Sequence, residues 1–60
     1  MKDWKWNKDG KGCAGEYTKK GWQVWSNGSG WKITKPDGLT YAVEFKQNAS
    51  AKGFAERRMK

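Results

Sequence analysis

Residues 21–33, Gly21-Trp22-Gln23-Val24-Trp25-Ser26-Asn27-Gly28-Ser29-Gly30-Trp31-Lys32-Ile33, place three of the chain's five tryptophans around one turn. Apolar residues recur there at every second position, Trp22 with Val24 and Trp31 with Ile33, which is the period of a strand with one face on a core. Asn27-Gly28 between the two runs suits the positive φ angles of a tight hairpin. Beyond a second turn signal, Pro36-Asp37-Gly38, the same alternation returns in Tyr41, Val43 and Phe45. The spacing predicts a three-stranded antiparallel meander over about 21–26, 30–35 and 40–46.

A sheet of this size needs a cover on its apolar face. Residues 50–59 supply a helix in which Ala51, Phe54, Ala55 and Met59 fall on one side, with Lys52, Arg57, Arg58 and Lys60 on the other. Ser50 or Asn48 is the expected cap, and Gly53 weakens the helix by about 1 kcal/mol relative to alanine. The expected fold is α+β, one small domain in which Phe54 packs on Trp22, Ile33 and Val43. In residues 1–20, Trp4 and Trp6 alternate with lysine as in a short edge strand, 7–12 are turn residues, and 13–18 read as a further strand carrying Tyr17. This basic, partly ordered stretch is expected to dock as a hairpin on the sheet edge.

Sixty residues bury only a modest core, so stability is expected to be marginal, and a second copy of the chain in a homodimer could add burial. Cys13 is the sole cysteine and histidine is absent, which leaves no internal disulfide and no zinc set around that thiol. Cys13 reads as a small half-buried residue in a reducing compartment. Residues 1–6 lead into no apolar segment of the kind a signal peptide needs, and no run reaches membrane-spanning length. The expected location is cytoplasmic.

Gly10-Lys11-Gly12-Cys13-Ala14-Gly15 matches the glycine spacing of phosphate-cradling loops, but such a loop needs a buried strand before it and a helix after it. Lysine-rich sequence precedes it and residues 16–21 cannot build a useful helix, so the stretch reads as a turn. A calcium loop would begin at Lys5, which cannot ligate the ion. With no histidine, one cysteine and six scattered carboxylates, no acid/base pair can be nominated. Neither an enzyme, a cofactor nor a metal is expected.

Charge is the stronger signal. Thirteen Lys and Arg against six Asp and Glu give +7, with ten of the basic residues falling in 1–20 and 47–60. Such a field attracts nucleic acid, an anionic membrane or an acidic protein surface. If Trp22 and Val24 face inward, Gln23 and Trp25 face outward beside Lys32 and Thr34, with Glu44 and Lys46 on the third strand. Lysines meet phosphates, glutamine can read an adenine edge, and an aromatic ring can stack on an unpaired base. The candidate nucleic-acid contacts are Gln23, Trp25, Lys32, Thr34, Lys46, Arg57 and Arg58. Against this, Trp25 could fold under the N-terminal hairpin and stack on Trp4 or Trp6. The alternative function is a small effector or inhibitor of the kind phages and mobile elements encode, binding an acidic protein surface through exposed tryptophans.

Overall fold

The computed structural model describes residues 4–10, 12–13 and 15–59. Four strands, β1 (Lys5–Asn7), β2 (Glu16–Lys19), β3 (Trp22–Ser26) and β4 (Trp31–Thr34), precede one helix, α1 (Asn48–Arg58). The strands form an antiparallel sheet in chain order, so the α+β meander expected from the alternation is present and the N-terminal hairpin β1–β2 extends it. Residues 1–3, Lys11 and Ala14 of the glycine-rich stretch, and Lys60, assigned to the basic side of the helix, lie outside the described residues.

One register row, Trp6, Tyr17, Val24 and Ile33, faces α1. Val24, Ile33, Ala51 and Ala55 are fully buried. Alanines one helical turn apart let the helix sit close over the two β-branched side chains. Aromatic rings close the rim of this small core. Trp22 stacks on Tyr41 with ring centroids 6.4 Å apart, and Phe54 touches Tyr41 at 5.2 Å and Phe45 at 5.3 Å. Trp6 packs on Tyr17 at 4.7 Å, and the Lys52 ammonium lies 3.5 Å from the centre of the Tyr17 ring. Burial there pushes the Lys52 pKa down, against the opposing pull of Glu56.

Residues 40–46 correct the expected third strand. They pair with β4 only through two isolated bridges, Thr34 with Thr40 and Trp31 with Phe45. Three steps along β4 face five along this segment, so two extra residues arch out between the bridges. The reason lies in the helix: Tyr41 and Phe45 both touch Phe54, whereas in a straight strand their positions would be about 13 Å apart. The arch draws them together and turns Val43 outward, leaving it 42% exposed rather than in the core.

The turns also differ from the simplest expectation. Asn27-Gly28 is not a two-residue hairpin, because Ser26 pairs with Trp31 and leaves a four-residue loop. Asn27 Oδ1 accepts from the backbone N–H groups of Ser29 and Gly30, closing that loop from within. The tight two-residue hairpin occurs at Lys20-Gly21 instead, between paired Lys19 and Trp22. Pro36-Asp37-Gly38 turns as expected: Gly38 N–H bonds Lys35 O, Lys35 N–H bonds Leu39 O, and Asp37 Oδ1 accepts from Leu39 N–H. Helix α1 begins at Asn48 with Gln47 at the cap and no side-chain cap bond, so Ser50 lies inside the first turn. Cys13 is exposed, not half-buried.

Candidate nucleic-acid interface

Strand register decides which of the candidate residues share a surface. On the face turned away from α1, one row holds Asn7, Glu16, Trp25 and Lys32, and the next holds Lys5, Thr18, Gln23 and Thr34. Gln23, Trp25, Lys32 and Thr34 are thus brought together as the alternation implies. They are not, however, an open set of reaching groups. Gln23 Nε2 donates to Glu16 Oε1 at 2.8 Å, Trp25 Nε1 donates to Thr34 Oγ1 at 2.9 Å, and Lys32 Nζ donates to the Ala42 carbonyl at 3.2 Å.

Thr34 is the clear correction. It is only 5% exposed, held between the Trp25 indole and Thr40, whose hydroxyl lies 2.9 Å from its own. It therefore anchors the face and has no surface to offer a ligand. Glu16 is 7% exposed on the same side. The loop after β1 packs over it so closely that a side chain on Gly10 would overlap Glu16 Cγ. Further along, Cys13 N–H bonds Ser26 O at 2.8 Å, so the loop runs beside Trp25. Trp25 is half-buried there, but Trp6 lies on the other face and Trp4 packs against the main core, so neither forms a stack with it on this side.

Lys46, Arg57 and Arg58 are exposed. Arg57 and Arg58 belong to α1, on the opposite side of the sheet from Trp25, and the Arg58 guanidinium lies 3.8 Å from the Phe54 ring centre. One flat ligand cannot cover both groups. Lys46 leaves the sheet just before α1 begins.

Two glutamates are turned onto neighbouring groups. Glu44 accepts from Asn27 Nδ2 and Ser29 Oγ, tying the 27–30 loop to the arch. The Asn27 hydrogen bond, chiefly, holds its carboxyl below the usual carboxylate range. Glu56 Oε2 accepts from Trp4 Nε1 at 2.9 Å and Lys19 Nζ at 3.2 Å. Cations that sequence reasoning passed over, Lys5, Lys8 and Lys20, are exposed along with Lys46, Arg57 and Arg58. The signal for Lys20 is the Lys-Gly pair between two alternating runs, which has the same hairpin logic as Asn-Gly.

Among the described residues no helix is long and apolar enough to cross a membrane. No family model, curated protein or solved structure matches the chain.

Proposed function

We propose that this protein is a non-enzymatic module that binds nucleic acid and acts in the cytoplasm. The observation that carries the reading is the contrast between its charges: Glu16, Glu44 and Glu56 accept internal hydrogen bonds, while Lys5, Lys8, Lys20, Lys46, Arg57 and Arg58 are exposed in a chain of net charge +7. The cations are the groups that reach outward to meet phosphate, and the net field draws a polyanion in. Gln23 Nε2 is engaged by Glu16, so this amide is not an open group for reading a base edge. Trp25 is partly buried on the same face, and an aromatic ring there is the kind of group on which a base or sugar packs.

The test is fluorescence anisotropy with labelled single- and double-stranded DNA and RNA across a salt series. Binding is expected with a log K against log salt slope of about −3 to −6, matching some four to six neutralised phosphates. No binding at low salt to any of the probes overturns the reading. Trp25→Phe keeps the ring and is expected to bind better than Trp25→Ala.

A second reading, a small protein-binding effector or inhibitor, is favoured by Trp6, which is 45% exposed on the edge strand β1. An acidic protein retained on an affinity column after nuclease treatment would support that reading over the first.

A further inference from the structure

The β2–β3 connection holds both of its residues in the left-handed region, Lys20 at φ 53° and Gly21 at φ 86°. Gly21 meets that demand at no steric cost, whereas Lys20 is the one described non-glycine residue with positive φ. Asparagine or glycine suits the first position of such a turn better. Among the described residues no side-chain hydrogen bond or ion pair engages Lys20, so the hairpin pairing of Lys19 with Trp22 holds the strained backbone without any help from the lysine side chain. A left-handed residue whose side chain makes no such contact within the fold is the kind of outlier that directs attention to function.

The turn lies where β2 and α1 both end. Lys19 bonds Glu56, Gly21 sits against Pro36, and Lys19, Lys20, Glu56 and Met59 line an open cleft of about 280 Å³. Lys19 and Glu56 answer each other's charge. Lys20 is the other cation lining the cleft, and the exposed Arg57 follows Glu56 in the last turn of α1. The carbonyl end of α1 is itself unfavourable to an anion, which Arg57 and Arg58 offset.

We propose that Lys20 contacts a nucleic-acid phosphodiester at this end of the domain, with Arg57 as the second cationic arm. The inference rests on the nucleic-acid reading above and moves its phosphate contact from the outer sheet face to the β2–β3 turn.

The experiment compares the full chain with Lys20→Asn, Arg57→Gln and Lys8→Asn, the last in the turn at the opposite end of the strands. Thermal unfolding and the salt dependence of binding to DNA and RNA are measured for each. Lys20→Asn is expected to raise Tm by about 2–8 °C by relieving the turn, and to make the salt slope shallower by about 1. Arg57→Gln is expected to flatten the slope similarly, and Lys8→Asn by less than half as much. An unchanged slope for Lys20→Asn, or an equal loss from Lys8→Asn, overturns the placement while leaving nucleic-acid binding intact. A lower Tm for Lys20→Asn overturns the strain argument. Wild-type protein that binds no nucleic acid overturns both readings, and Lys20-dependent binding to phosphatidylserine vesicles in preference to DNA and RNA overturns the choice of ligand.

Discussion

The Trp25 indole N–H donates a 2.9 Å hydrogen bond to Thr34 Oγ1, across the diagonal between β3 and β4. Thr34 in turn meets Thr40, so one buried hydroxyl joins the outer-face tryptophan to the segment that covers the β4 edge. Trp25 is held by this bond instead of swinging free. Thr34→Val keeps the shape and removes the shared hydroxyl. The expected cost is about 0.5–1.5 kcal/mol in urea unfolding, with faster solvent exchange of the Trp25 indole proton in NMR spectra.

Glu44 ties the 27–30 loop to the arch, and its folded pKa lies below the ordinary one. Its contribution to stability is therefore present above the unfolded pKa and is lost as pH falls through the folded value. Wild type is expected to melt above Glu44→Gln near neutral pH, with the gap closing on acidification below the carboxylate range. Melting curves from neutral to acidic pH check this; a gap that widens in acid would contradict it.

Two glycine-to-alanine substitutions are expected to act in opposite directions. A Cβ on Gly30 would come within 2.8 Å of Glu44 Cγ and of the Phe45 carbonyl oxygen, which belongs to the bridge with Trp31. Gly30→Ala is expected to cost about 1–3 kcal/mol through this overlap. Gly53 lies within α1 with open space around its Cβ position. Gly53→Ala is expected to add about 0.5–1 kcal/mol, and denaturant midpoints of the two variants provide the comparison.

Phe54 is the contact common to Tyr41, Phe45 and Arg58. Half-buried rather than fully enclosed, it is expected to cost about 2–3 kcal/mol on replacement by alanine. In a domain of this size that is most of the available stability. Loss of near-ultraviolet circular dichroism at 25 °C would register it.

Much of the inner face could be read directly from residue spacing. Trp22, Val24 and Ile33 face α1 because period-two alternation survives whatever the loop between the strands does, provided the loop holds an even number of residues. The 27–30 loop holds four residues, so the faces are those the alternation implies. Ala51, Phe54 and Ala55 follow from helical spacing in the same way. The candidate interface was less accessible to such reasoning. Alternation puts Gln23, Trp25, Lys32 and Thr34 on one face but cannot tell that Glu16, Thr34 and the Ala42 carbonyl hold their polar groups.

The amino-acid sequence by itself determined the α+β class, the inward side of β3 and β4, the helix and the excess of positive charge, because each depends on short-range periodicity or composition. Tertiary structure alone decided that Val43 turns outward, that Thr34 is closed to ligands and that Lys20 occupies a strained hairpin. Tyr41, Val43 and Phe45 spell a regular strand until two of them must meet the same Phe54 ring. That convergence depends on a contact between distant parts of the chain, which no local pattern encodes.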